Sequence, residues 1–217
     1  FHNAVARLAA GDRSETSGVL VAATLELSSL NFILGKGFGE TIPFLQAALK
    51  AADHLGDLRS RAMIKLHLGR HYYFSNQRSK AIPFFQQGKA EVEALGDEDI
   101  REGAAEFVGL YYHLQGMFTE AIAYFEAAVE RFETTRGLLV PNPSAPMWLG
   151  YCAAYLGQFH RAIGTLDYYR RMLLERGDRA LAATTRAGLG IVLLELKKNK
   201  EAVIHLSGAI SEGEKTG

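Results

Sequence analysis

Two hundred and seventeen residues, 48% apolar and 22% charged, make one large domain or two small ones and are too apolar for a disordered chain. Lys plus Arg equals Asp plus Glu at 24 each, which removes the electrostatic footprint of a general nucleic-acid or anionic-membrane binder. A lone Cys152 excludes an internal disulfide and a cysteine-based zinc site, and no apolar run approaches the ~20 residues of a membrane helix, so the expected location is the cytoplasm.

In chain order, Phe1 to Ala10 carries Val5, Leu8 and Ala9 at helical spacing, and 1–16 reads as the second helix of a preceding unit. Residues 17–56 then hold Ile42-Pro43-Phe44-Leu45-Gln46, which returns forty residues later as Ile82-Pro83-Phe84-Phe85-Gln86 within 57–96. The same ruler places a small residue before a β-branched one at Ala81-Ile82, Ala121-Ile122, Ala162-Ile163 and Ala202-Val203, with Thr41-Ile42 the weakest copy. Ahead of each pair come Leu68-Gly69, Val108-Gly109, Leu149-Gly150 and Leu189-Gly190, where the first copy has Ser28-Ser29. Large apolar residues follow at Leu45, Phe85, Phe125, Leu166 and Leu206. Glycines 56, 96, 137, 177 and 217 close the units at spacings of 40, 41, 40 and 40, giving units 17–56, 57–96, 97–137, 138–177 and 178–217.

Each unit reads as two helices. In the third, the spacing predicts helices over 102–114 and 119–132, with Thr119 as the second helix's N-cap. Asp57, Asp97 and Asp178 follow closing glycines and are placed to cap the next helix. Small residues at Gly69, Gly109, Gly150 and Gly190 are expected to be buried facing Ala81, Ala121, Ala162 and Ala202, letting paired helices approach closely. Between Arg136 and Pro146, three prolines delay the fourth unit's first helix to about 145–156. That segment reads as a connecting loop, or as a partner-contacting insertion exposing Leu138, Leu139 and Val140.

Candidate chemistry is thin. Gly35-Lys36-Gly37-Phe38-Gly39 follows no strand and lacks Lys-Ser/Thr after its last glycine, so it reads as an inter-helix turn rather than a phosphate loop. His67 and His71 stand one helical turn apart, but no third ligand accompanies them, so they read as surface or half-buried histidines rather than metal ligands. Cys152 reads as a buried, inert thiol. No Ser/His/Asp or Cys/His arrangement stands out, so the chain is expected to be no enzyme and to need neither metal nor cofactor.

Leu68-Gly69…Tyr72, Ala81…Phe85, and Val108-Gly109…Tyr112, Gly116, Phe118, Ala121…Phe125, Ala128 resemble tetratricopeptide (TPR) repeats, and the resemblance runs from about Ser17 to Gly217. The period exceeds the usual ~34 residues, as in the longer-repeat subclass found in polarity adaptors, kinesin light chains, bacterial pheromone sensors and the partner-binding arms of bacterial signalling and transcription regulators. Thr41, Tyr169 and Lys197 depart from the pattern where small or glycine residues are expected. The resemblance implies an all-α solenoid of about five helix-turn-helix repeats in a right-handed superhelix, and a protein-interaction scaffold.

In such stacks the first helix of each unit lines the concave groove. Helical spacing away from the Leu-Gly stripe assigns Met63, Leu66, Arg70 and Tyr73, then Glu106, Leu110 and His113, then Met147, Tyr151 and Ala154 to that face. This second apolar stripe either binds a peptide or protein segment or packs against the next unit. The alternative function is a small-ligand or peptide-pheromone sensor, with Arg70, Glu106, His113 and Tyr151 as polar fixing groups in an apolar pocket. Neither end shows the polar cap a stack requires, so the chain is expected to be part of a longer protein. Ile204, Leu206, Ala209 and Ile210 on the last helix are then expected to drive homodimerisation through a terminal repeat.

Overall fold

The structure, a computed structural model, describes residues 3, 5–6, 14–134 and 144–215. Among them are ten helices and no strand. They are α1 (Ser14–Ile33), α2 (Phe38–Leu55), α3 (Leu58–Phe74), α4 (Arg78–Leu95), α5 (Glu98–Leu114), α6 (Phe118–Thr134), α7 (Ala145–Tyr155), α8 (Phe159–Glu175), α9 (Arg179–Glu195) and α10 (Asn199–Glu214). The all-α expectation holds. Two compact units divide the chain, Phe1–Tyr111 and Tyr112–Gly217, with the boundary in the last turn of α5. The segment containing Leu138, Leu139 and Val140 lies outside the described residues, as does most of 1–16. Val5 is an exception, buried with Leu20 and Leu27 of α1.

Local chemistry sets the corners. Between pairs, Gly56 and Gly177 take the left-handed conformation that a side chain disfavours (φ 66° and 82°), and the next residue caps the following helix. Asp57 accepts from the Ser60 N–H at 3.0 Å, Asp97 from Ile100 at 3.2 Å and Asp178 from Leu181 at 3.0 Å. The Ser60 hydrogen bonds hold the Asp57 carboxyl below its ordinary range. Asp97 starts α5 at Glu98, four residues earlier than the spacing predicts. Thr119 is not an N-cap: the Met117 N–H bonds the Tyr112 carbonyl at 3.0 Å, and the chain enters α6 at Phe118, leaving Thr119 inside the first turn. Lys197 occupies the left-handed position of its turn at φ 58°, the place glycine fills at Gly116 and Gly157.

Within each unit, consecutive helices pack antiparallel, and first helices also touch first helices, α1 on α3 and α7 on α9. The expected burial of Gly69, Gly109, Gly150 and Gly190 is found, and Ala81, Ala121, Ala162 and Ala202 are fully buried. Where their contacts are described, the nearest side chain is not the alanine, although at Gly190 the Ala202 carbonyl would also come within 3.3 Å of an added Cβ. A Cβ at Gly69 would meet the Phe85 ring at 2.7 Å, at Gly150 Leu166 at 2.6 Å, and at Gly190 Leu206 at 2.6 Å. The large side chain one turn after each alanine therefore fills the notch, and the alanine supplies clearance beside it. Gly88 of α4 returns the arrangement, receiving Leu66 of α3 at 2.8 Å.

Two glycines of the second unit separate packing from propensity. Gly164 in α8 has open space around its absent Cβ. Its change to alanine is expected to stabilise by ~0.5–1 kcal/mol through helix propensity alone. Gly150→Ala gains the same propensity but must displace Leu166, at a cost of ~1–3 kcal/mol, so a net loss is expected. Urea midpoints of the two variants check this; a stabilised Gly150→Ala would refute the notch.

Candidate functional site

In the first unit, the predicted groove residues of α3 divide between surface and interior. Met63 and Tyr73 are half-buried. Leu66 is 0% exposed and lies over Gly88, so it belongs to the α3–α4 interface, a correction to its assignment to the groove. Leu110 is likewise buried, at 2%. For Leu66 the physical reason is the close approach of its own partner helix, α4, whose Gly88 leaves room for the leucine.

Arg70 and Glu106 are buried too, in a polar layer that joins α1, α3 and α5. The Arg70 guanidinium lies between two rings, 4.0 Å from the Phe32 centroid and 4.6 Å from that of Phe107. Burial lowers its pKa to about 10, opposed by the Glu106 carboxylate, so it stays charged at neutral pH. Beside it, Ser28 Oγ stands 2.6 Å from His67 Nδ1 and 2.7 Å from His71 Nε2. His71 Nδ1 is 3.1 Å from the Phe38 carbonyl, which only accepts, so that nitrogen carries the proton. Neutral His71 then offers Nε2 to the Ser28 hydroxyl, and Ser28 accepts from His67 Nδ1–H. Arg70 Nη2, 3.2 Å from the same His67 nitrogen, is in that tautomer a close contact without a lone pair to meet it.

Burial holds both imidazoles neutral. His67 is pushed well below the ordinary histidine range by desolvation, with the Arg70 charge adding. His71 is pushed to about 4 by desolvation and Arg70, against its hydrogen bond to Phe38. The pair, read in the sequence as surface or half-buried, is a buried hydrogen-bonded element. Among the described residues, no three His, Cys, Asp or Glu side chains gather to hold a metal ion. The place of Ser28 in this element has a signal in the sequence: polar Ser28-Ser29 stands where later copies carry an apolar residue and glycine.

In the second unit, His113, Met147 and Tyr151 are half-buried. The His113 ring packs 5.0 Å from Trp148, and its Nδ1 lies 3.4 Å from Cys152 Sγ. Burial raises the Cys152 thiol to about 12, which keeps it protonated and poorly nucleophilic, as the inert-thiol expectation requires. Tyr151 reaches from α7 to α9, where a Cβ on Gly188 would come 3.0 Å from its hydroxyl. Burial also raises its phenol to about 12.

Between α7 and α9 opens a half-enclosed pocket of about 310 Å³. Tyr151, Tyr155, Phe159, Ile191, Val192 and Glu195 form most of its wall, with Ala154. Tyr151 and Ala154 were predicted for this face; Tyr155, Ile191 and Glu195 were not. Their signal was periodic: Ile191 and Glu195 stand 40 residues after Tyr151 and Tyr155, so the pocket joins matching positions of adjacent repeats.

Paired antiparallel helices with first-helix rows in contact define a helical-repeat protein. Residues 106–135 match the tetratricopeptide repeat family. The nearly identical TPR-like repeats of a Podosopora anserina protein assigned as a kinesin light chain are similar in structure, with a TM-score of 0.60 at 16% identity over 90% of this chain and 95% of that one. BtubC (BKLC) from P. vanneervenii is similar at a TM-score of 0.57 and 15% identity, over 95% of this chain and 93% of that one. At such identities the likeness establishes a TPR-like solenoid fold. No curated protein matches the sequence.

Proposed function

We propose that the chain is a non-enzymatic protein-interaction domain that holds a peptide or protein segment along its first helices. Its setting on this proposal is the cytoplasm, in a larger bacterial-type signalling or transcription regulator, with no direct contact to nucleic acid or membrane. The observation that carries the binding role is the half-open pocket between α7 and α9. Apolar walls with a few polar groups are what a peptide side chain needs, and nothing within the described chain fills the space. Balanced charge supports the exclusion of nucleic acid, and no described helix is long and apolar enough to cross a membrane.

Selection from a displayed random peptide library tests the role. Enriched peptides are expected to lose binding to Ala154→Arg, which fills the pocket, and to keep it with Lys50→Ala on the exposed side of α2. Failure to enrich any peptide, or binding indifferent to Ala154→Arg, would count against the groove. Homodimerisation through a terminal repeat belongs to the same proposal. Ile204 and Ile210 of α10 are 63% and 64% exposed, whereas Leu206 fills the Gly190 notch and Ala209 is buried, so the two isoleucines are what this face offers a partner. The same preparation is expected to sediment as a dimer at micromolar concentration, and Ile204→Lys to return it to monomer; a monomeric parent would refute this part.

A further inference from the structure

The pocket between α7 and α9 has a chemistry that narrows its occupant. Three of its walls are aromatic, Tyr151, Tyr155 and Phe159, and Glu195 is the only formally charged residue among those lining it. Glu195 is exposed in the last turn of α9 and Tyr155 ends α7, so the C-terminal ends of two helices border the pocket, with Phe159, the first residue of α8, on its wall. The negative poles of both helix dipoles reinforce the carboxylate there. Tyr155 is held on one face by Phe118, stacked at 4.7 Å and 13° between planes, yet the residue remains 65% exposed. Tyr155, fixed by that stack, and Glu195, with solvent access, thus line one pocket.

We infer that this pocket is a specificity subsite for an arginine side chain of the bound peptide, an assignment that rests on the groove function proposed above. A guanidinium plane stacks on an aromatic face and meets a carboxylate with two parallel N–H donors. Its aliphatic stem suits the apolar wall at Ile191 and Phe159. A leucine side chain would use the same wall but would desolvate Glu195 without offering it a donor. An acidic side chain would face both the carboxylate and the helix ends. The volume of about 310 Å³ stands at the lower end of the range for ligand pockets, ~300–1,000 Å³, which favours one long side chain over a cofactor.

The chain's only tryptophan, Trp148, lies 5.8 Å from the Tyr151 ring and supplies a local fluorescence probe. The intact chain is titrated with N-acetyl-arginine amide, N-acetyl-leucine amide and N-acetyl-glutamate amide. Trp148 emission and the backbone amide shifts of Ile191 and Glu195 report binding. The arginine probe is expected to saturate and to bind more tightly than the other two. Glu195→Gln should weaken it about tenfold, the effect of losing a charged hydrogen bond, without changing the leucine probe. Tyr155→Ala should weaken it about threefold through the lost stacking. Both side chains are exposed, so neither variant threatens the fold.

A leucine probe binding as tightly as arginine would overturn the assignment. So would an arginine response indifferent to Glu195→Gln, or no saturable shift at Ile191 and Glu195. Library-selected peptides that bind independently of Glu195 would leave the groove standing and remove the arginine subsite. An arginine probe that binds through Glu195, with no peptide enriched, would leave the subsite standing and remove the extended groove.

Discussion

Arg70→Met is expected to destabilise the chain by about 3–5 kcal/mol, the usual consequence of removing one partner from a buried charge pair. Methionine matches the length of the arginine stem and still fits between Phe32 and Phe107, so little of the loss comes from packing. What changes is electrostatic. Glu106 is only 3% exposed and loses the Arg70 charge that its carboxylate attracts, so its charged form becomes costlier to hold. The second change, Glu106→Leu on the Arg70→Met background, should recover most of the loss, because an apolar pair of similar volume often replaces a buried ion pair without penalty. Urea midpoints of the parent, both single variants and the double variant measure the coupling directly. A single Arg70→Met loss below about 1 kcal/mol, or a double variant no better than the single, would show that the guanidinium and carboxylate are not coupled.

Acid should destabilise the first unit well before its carboxylates protonate. His71 has a folded pKa of about 4 against an ordinary value of 6.5, because burial and the Arg70 charge oppose a second proton. Between those values the unfolded chain binds the proton and the folded chain does not, so stability rises with pH and is lost as pH falls from 6.5 towards 4. The full effect of His71 is about 3 kcal/mol at the foot of that window. His67 is displaced in the same direction and adds to it. His71→Gln keeps an acceptor for the Ser28 hydroxyl and cannot titrate, so its urea midpoint should vary less over the same window, by the His71 share, and keep the His67 share. Parent and variant profiles running parallel from neutral pH down to 4 would refute the role of the buried imidazole.

Helix order and corner positions were legible in the residues because their causes are local. An Asp caps a helix within three residues of itself, as Asp57, Asp97 and Asp178 do. A glycine in the left-handed conformation ends a helix through bonds that close within one turn. The Gly69, Gly150 and Gly190 stripe was legible for a related reason: helical periodicity names the face that must be buried.

Which side chain meets that face was settled only by the packed helices. Phe85, Leu166 and Leu206, rather than the alanines one turn earlier, enter the glycine notches, because axial stagger and side-chain volume decide where a knob lands. Leu66 turned inward to Gly88 for the same reason. The Ser28 links to His67 and His71 span 39 and 43 residues, and the pocket pairs Tyr155 with Glu195 one repeat later. Periodicity aligns such positions on neighbouring first helices but carries no information on whether their side chains touch, neutralise one another or leave a space. Only the approach of the helices decides that, through distances of a few ångströms that no local pattern encodes.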